Sequence, residues 1–170
     1  DPSAARAAAS AAPADVAAQT LVADLEVLEG RVEEAFARLV QLVRLTSGDV
    51  ESYCNRGVAE MMLGRHDAAL VSYEQALALQ PRHFESMVGK GMAHLEIRHF
   101  DVAERTFNDA LTVKPDNAEL LAHRGQLYLQ SERRAQAEAD FDAALALEPS
   151  LELAWLGKAR TGLLTGNVAR

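Results

Sequence analysis

Residues 50–83 read VESYCNRGVAEMMLGRHDAALVSYEQALALQPRH, residues 84–117 read FESMVGKGMAHLEIRHFDVAERTFNDALTVKPDN, and residues 118–151 read AELLAHRGQLYLQSERRAQAEADFDAALALEPSL. The three segments have equal length, and Pro81, Pro115 and Pro149 stand 34 residues apart. The residues between the prolines also recur in register. Such an interval is typical of arrays of helix pairs, in which each repeat buries its apolar face against its neighbours. The sequence therefore predicts a helical repeat array.

Five positions of the segment, numbered from its first residue, hold the same kind of residue in all three copies. They are glycine at position 8 (Gly57, Gly91, Gly125), alanine at 20 (Ala69, Ala103, Ala137), an aromatic residue at 24 (Tyr73, Phe107, Phe141), alanine at 27 (Ala76, Ala110, Ala144) and proline at 32. The small residues allow two helix backbones to approach closely, and the aromatic fills the gap between one repeat and the next. Proline cannot continue a helix and marks each repeat boundary.

This series of residues resembles the tetratricopeptide repeat. The resemblance implies an all-α fold, a right-handed superhelical array in which each repeat is an antiparallel pair of helices, A and B. Composition agrees, because only 5% of the residues are aromatic and no β-branched run alternates with period two.

The array is predicted to extend beyond the three clear copies. Residues 16–49 read as a degenerate first repeat that keeps Gly30, Ala35 and Leu39 in register but lacks the proline and the early glycine. Residues 152–170 read as a half repeat or capping helix. Its leucines, with Trp155, exceed what one buried stripe can cover, which favours a chain cut from a longer protein or pairing with another subunit. The alternative is that Trp155 folds back onto a helix B spanning about residues 134–147.

Residues 1–15 are mostly alanine, with Pro2 and Pro13, and predict a linker, a tether or a frayed helix. Asp15 is placed to cap a helix that begins near Val16. An Ala/Pro tether suits a periplasmic or lipid-anchored bacterial protein and equally an interdomain linker. The single cysteine, Cys54, excludes an intramolecular disulfide, so a cytoplasmic location also stays open. Its place in the sequence suits either a groove contact or a small apolar core residue.

Charge and motifs exclude several classes of function. The formal net charge of -8 argues against nucleic-acid binding, which draws on clustered Lys and Arg. No run of eighteen apolar residues is present, so no membrane span is expected. His94 and His99 flank Glu96, but they are five residues apart, whereas a zinc-binding helix needs histidines four apart. We predict no enzyme activity, no metal and no cofactor.

The resemblance also implies a ligand surface, since the A helices of such arrays line a concave groove. The positions that face the ligand hold Glu51, Cys54, Asn55, Val58, Met61 and Met62 in the second repeat, Glu85, Val88, Met92, Leu95 and Glu96 in the third, and Glu119, Ala122, Gln126, Leu129 and Gln130 in the fourth. A second candidate surface, for end-to-end contact or a missing repeat, holds Trp155, Leu156, Leu163 and Leu164.

The predicted groove is apolar with an acidic edge. Glutamates stand where relatives that hold acidic chaperone tails carry cations, so Asn55 alone could not hold a carboxylate there. Flexible methionines suit an apolar or amphipathic peptide, although methionines at helical spacing are more often core. The acidic edge raises the hypothesis of a basic partner, while the helix dipole explains the same glutamates locally.

These observations predict a non-catalytic scaffold that binds a peptide or a partner helix, with a bacterial envelope-assembly or secretion accessory role as a narrower hypothesis. Two alternatives remain. One is an excised regulatory domain of a larger enzyme, and the other is a structural protein that forms homo-oligomers through its C-terminal helix.

Overall fold

The computed structural model describes residues 1–45 and 48–165. Within these ranges the chain forms ten α-helices and no strand. The helices are α1 (Pro2–Ala11), α2 (Val16–Leu28), α3 (Val32–Leu45), α4 (Val50–Met62), α5 (His66–Leu79), α6 (Phe84–Glu96), α7 (Phe100–Val113), α8 (Ala118–Gln130), α9 (Arg134–Leu147) and α10 (Glu152–Thr165). The predicted all-α fold is confirmed.

Local signals in the sequence set the helix ends. Helices α4, α6 and α8 begin at the first residue of each of the three segments quoted above. The side chains of Asp15, Asp49 and Asn117 cap α2, α4 and α8 by accepting hydrogen bonds of 2.7–3.0 Å from backbone N–H groups, as N-cap residues do. The predicted cap at Asp15 is confirmed. Helices α5, α7 and α9 each end two residues before a proline of the 34-residue series.

The turn between the two helices of each repeat requires a left-handed backbone at position 15. Gly30 and Gly64 occupy it with φ of 78° and 68°, and Arg98 and Glu132 occupy it with φ of 62° and 63°. Glycine adopts this conformation without a steric penalty, whereas arginine and glutamate do not. The same turn therefore forms with and without glycine.

Residues 1–93 form the first of two compact units. In this unit α2 packs on α3, α3 on α4, and α4 on α5. The buried cluster between the first two repeats consists of Ala23, Ala35, Leu39, Leu42 and Ala59. Helices α4 and α5 pack against each other and are joined by a turn of only three residues, 63–65, so they run antiparallel.

Of the alternatives predicted for residues 1–15, a linker, a tether or a frayed helix, the structure has a helix, because ten of these residues form α1, which packs on α2. Ala5 and Ala9 are buried with Val22. The Gln19 side chain donates a 2.7 Å hydrogen bond to the carbonyl oxygen of Ala9. Alanine favours helix, and its small side chain lets α1 lie close to α2, so this segment needs no large apolar residue to pack.

Residues 94–170 form the second unit. Helix α8 pairs with α9 and also touches α7, and α10 packs on both α8 and α9. Phe141 of α9 is completely buried. The predicted helix carrying Trp155 is confirmed as α10, and the predicted helix over residues 134–147 is confirmed as α9.

Two buried carboxylates contact the partner helix of their pair in the first unit. In α2 and α3, the Glu26 carboxylate accepts hydrogen bonds of 3.0 and 2.6 Å from Arg38. In α4 and α5, the Glu60 carboxylate accepts hydrogen bonds from Ser72 at 2.5 Å and Arg56 at 2.9 Å. Glu26 and Glu60 are 3% and 1% exposed, so their charges depend on these partners.

Candidate functional site

A pocket of about 320 Å³ lies between α2 and α4, the first helices of the first two repeats. We call it the α2–α4 pocket. Most of its wall is apolar, and the exposed side chains of Leu28, Val58 and Met62 lie along it. It is lined by Thr20, Ala23, Asp24, Val27, Leu28, Leu39, Asn55, Val58, Ala59 and Met62.

The packing of the aromatic at position 24 in two other repeats explains why a pocket exists here. A Cβ atom built on Gly57 or Gly89 would lie 2.6 or 2.3 Å from the Tyr73 ring. A Cβ built on Gly125 or Gly157 would lie 2.6 or 2.2 Å from the Phe141 ring. Each ring therefore fills a slot between position 8 of its own repeat and position 6 of the next, where any larger residue would overlap it.

The first repeat lacks this ring. Its position 24 is Leu39, its position 8 is Ala23, and position 6 of the following repeat is Asn55. All three residues line the α2–α4 pocket. The pocket thus lies at the junction that an aromatic ring fills in the two other repeats, where this chain has leucine instead of the ring and Ala23 and Asn55 instead of the flanking glycines.

Three polar side chains belong to the pocket. The Asn55 side-chain N–H donates a 2.9 Å hydrogen bond to the Thr20 hydroxyl, which links α4 to α2. The Asp24 carboxylate is exposed and makes no ion pair or hydrogen bond within residues 1–45 and 48–165. The pocket therefore combines a mostly apolar wall with one carboxylate that has no partner among the residues the structure describes.

Of the residues predicted to line a groove in the first unit, Asn55, Val58 and Met62 meet in this pocket. Val58 and Met62 are 46% and 50% exposed. Met61, Val88 and Met92 are partly buried. The structure thus brings Asn55, Val58 and Met62 to one pocket. Met61, Val88 and Met92 are not among the residues that line it.

The predicted acidic edge of this unit is organised around a histidine. The buried His83 ring places Nε2 3.0 Å from the Glu51 carboxylate and 3.5 Å from that of Glu85. Its Nδ1 lies 2.8 Å from the Ser86 hydroxyl. Two of the predicted ligand-facing glutamates therefore have a local structural contact as well as an exposed surface.

Cys54 is buried, so of its two predicted roles the structure supports the small apolar core residue and corrects the groove contact. It is 4% exposed and packs with Ala69, Tyr73 and Met61. Burial raises the pKa of the Cys54 thiol to about 11, because the thiolate loses its hydration. The residue is a core packing residue.

We expect the thiol of Cys54 to be alkylated slowly in the folded protein. Its pKa of about 11 lies above the 9.0 of a free thiol, so the thiolate fraction at pH 8 falls about a hundredfold on folding. Iodoacetamide labelling followed by mass spectrometry, with and without urea, measures both rates. Equal rates in the two conditions would contradict the buried placement.

Leu95 and Ala122, predicted groove residues of the second unit, are also buried, at 1% and 0% exposure, and this corrects their assignment. They belong to the core because their positions point between helices. Glu96, Glu119 and Gln130 are exposed.

The two remaining groove residues of this unit, Gln126 and Leu129, are partly buried. Gln126 hydrogen-bonds to His123, whose pKa is lowered by burial.

The C-terminal candidate surface is partly described. Trp155 and Leu156 on α10 are 54% and 53% exposed, and the Trp155 indole N–H donates a 2.9 Å hydrogen bond to the Pro149 carbonyl oxygen. The side chains of Leu163 and Leu164 lie outside the described residues.

Sequence reasoning missed the residues that α2 contributes. Thr20, Asp24, Val27 and Leu28 stand at positions 5, 9, 12 and 13 of the first repeat. These are the positions that were predicted to face a ligand in the other repeats. The signal was present, and reading residues 16–49 as degenerate obscured it.

The described part of the chain has neither a cluster of metal ligands nor a membrane-spanning helix. It contains no group of three or more His, Cys, Asp and Glu side chains that could hold a metal ion. The rings of His94 and His99 stack with centroids 6.0 Å apart. None of the described helices combines the length and the apolar character needed to cross a bilayer.

Comparison with models of known protein families identifies the family of the chain. A family model described as Tetratricopeptide repeat matches residues 50–83, and a second model with the same description matches residues 88–149 and 123–170. The chain belongs to the tetratricopeptide repeat family. Members of this family are protein-interaction scaffolds, generally non-catalytic, that bind protein or peptide partners. No curated protein sequence compared with this tetratricopeptide repeat chain matches it.

Solved structures of tetratricopeptide repeat proteins resemble the chain in fold. TTC0263, a thermophilic protein of Thermus thermophilus, has a TM-score of 0.86 at 22% identity, over 95% of this chain and 89% of that one. A MamA fragment from Desulfovibrio magneticus has a TM-score of 0.72 at 20% identity, over 89% and 86%. YrrB, described as a TPR protein with an unusual peptide-binding site, has a TM-score of 0.70 at 20% identity, over 91% and 80%.

Proposed function

We propose that this tetratricopeptide repeat protein is a non-catalytic scaffold that binds a peptide segment or a partner helix along the first helices of its repeats. The observation that carries the proposal is the meeting of Asn55, Val58 and Met62 in the α2–α4 pocket. Exposed apolar side chains beside a pocket are typical of sites for a peptide.

A structural neighbour supports the same function. The description of YrrB names a peptide-binding site in a protein of this fold. Glu51 and Glu85 add negative charge to the same unit, and Asp24 adds one at the pocket. A partner that is apolar and also basic would therefore bind with an affinity that falls with salt. Raising the salt from about 0.1 to 0.5 M shortens the Debye length from about 10 Å to between 3 and 8 Å.

Site-specific photo-crosslinking tests the proposed surface. We expect a photoreactive residue at Met92, on α6, to capture a partner in extract of the source cell, and the same residue at the exposed Gln75, on α5, to capture none. Mass spectrometry identifies the crosslinked segment. The purified partner is then titrated against the protein at low and high salt. Capture at neither position, or at Gln75 alone, contradicts binding on this surface.

A second candidate function is self-association through α10. The specific observation is the pair of exposed apolar residues Trp155 and Leu156.

The narrower proposal of a role in bacterial envelope assembly or secretion rests on the Ala/Pro-rich start of the sequence, most of which forms α1.

A further inference from the structure

We propose that the α2–α4 pocket receives one phenylalanine-like side chain of a partner peptide, with a lysine or arginine beside it paired to Asp24. This inference rests on the proposed function and deepens it by naming the residue types that the partner presents. It concerns the first unit alone, since every residue that lines the pocket lies between Thr20 and Met62.

The packing of two later repeats favours an aromatic ring as the occupant. At the corresponding junctions of two later repeats, Tyr73 and Phe141 insert their own rings against glycines at positions 8 and 6. At the first junction the chain supplies Leu39 in place of the ring and Ala23 and Asn55 in place of the two glycines, while α2 still packs on α3 and α4. A ring from another molecule would therefore enter from solvent, beside Ala23 and Asn55, and cover the apolar wall of the pocket.

The size and surface of the pocket fit this occupant. Apolar cavities of about 150 Å³ bind benzene, and the α2–α4 pocket measures about 320 Å³. Its buried end is formed by Ala23, Leu39 and Ala59, which are 2%, 5% and 1% exposed. Its outer end includes Leu28, which is 83% exposed, so the pocket is reached from solvent.

Charge specifies the neighbour of the ring. The exposed Asp24 carboxylate lies on the pocket wall and has no cationic partner within the described part of the chain. A lysine or arginine adjacent to the aromatic residue would reach it from the pocket mouth. The formal net charge of -8 favours the approach of such a cationic segment.

Nuclear magnetic resonance titration with short synthetic probes tests the inference on the full chain. The first probe is the tetrapeptide Gly-Phe-Lys-Gly with acetylated and amidated ends, and the matched probes replace Phe by Ala or Lys by Glu. We expect saturable amide shifts at Ala23, Asn55 and Ala59 with the first probe. Loss of the ring should weaken binding roughly tenfold or more, given the apolar area that a phenylalanine buries, and the Glu probe should bind several times more weakly.

Two variants locate the binding site. Val58→Lys places a charge in the pocket wall and should abolish the shifts, while Val71→Lys, at a residue of similar exposure on α5, should leave them unchanged. Leu39→Phe combined with Ala23→Gly supplies an aromatic ring at position 24 and the glycine found at position 8 of the next repeat, and it should also abolish binding. Because Val58 is exposed, its variant keeps the test valid if the double variant does not fold.

The outcomes separate this inference from the proposed function. Equal binding of the Phe and Ala probes, or equal effects of Val58→Lys and Val71→Lys, overturns the pocket assignment. If crosslinking at Met92 captures a partner in that case, the proposed surface stands without an aromatic anchor. Probe binding in the pocket without capture at Met92 supports the pocket and contradicts the extended surface along α6.

Discussion

Replacing Phe141 by alanine is expected to lower the free energy of unfolding by about 3–5 kcal/mol, the range typical of a buried phenylalanine. The ring is 0% exposed and lies against Gly125 of α8 and Gly157 of α10. Because both neighbours are glycines, no side chain on either can move into the space that the ring leaves. The cavity would persist, which places the effect high in the range.

Urea titration followed by circular dichroism measures this loss. The matched control is Leu147→Ala on the same helix, since Leu147 is 46% exposed and its truncation should change the free energy of unfolding by no more than about 1 kcal/mol. Phe141→Leu should fall between the two. Equal losses for Phe141→Ala and Leu147→Ala would contradict the packing role of position 24.

The helix array could be predicted because its signals are local and repeated. The spacing of Pro81, Pro115 and Pro149 and the recurring small residues predict where helices start and stop, and the structure has α4, α6 and α8 at the predicted starts. Each copy corroborates the others, so a chance match at one position matters little. The fold follows from periodicity rather than from any single residue.

The turns and α1 could not be predicted in the same way. Arg98 and Glu132 adopt φ of 62° and 63°, although neither residue favours this conformation. The helix pairs impose the turn, and their packing overrides the local preference. Likewise, Ala5 and Ala9 are buried against α2. An alanine-rich segment carries no large apolar residue from which a buried face could be predicted.

The location of the candidate surface could be predicted from the sequence, but the burial of its individual side chains could not. Repeat positions led to Val58 and Met62, which do line the α2–α4 pocket. The same reasoning selected Cys54, Leu95 and Ala122, which are buried. The position of a residue in the repeat determines which face of the helix its side chain is on. The exposure of that side chain depends on how close the next helix lies.

The pocket itself depends on a residue that is missing. Leu39 and Ala23 look unremarkable within residues 16–49, and only the packing of Tyr73 between Gly57 and Gly89 reveals what a ring does at that junction. The substitution of leucine for an aromatic is visible in the sequence. That this substitution leaves a pocket can be seen only when the two helices on either side of the aromatic ring are known.

Replacing Arg124 by methionine is the second large effect we expect, a loss of about 3–5 kcal/mol. Arg124 donates two hydrogen bonds of 2.7 Å to the Asp140 carboxylate, which is 9% exposed. The hydrogen bond to Asp140 also raises the pKa of Arg124. Methionine preserves much of the apolar stem but leaves a buried carboxylate without its cation, and that uncompensated charge is the main cause of the loss.

The double variant Arg124→Met with Asp140→Leu separates this cause from lost packing. Removing both charges removes the buried carboxylate, so the double variant should regain most of the stability in urea titration. Arg105→Met is the control, since this arginine bonds only to the Asp101 carbonyl oxygen of its own helix within the described structure. A double variant as unstable as Arg124→Met alone would mean that side-chain packing, and not charge burial, couples α8 to α9. Recovery would mean that the ion pair is replaceable, and that stability there requires paired or absent charges rather than this particular pair.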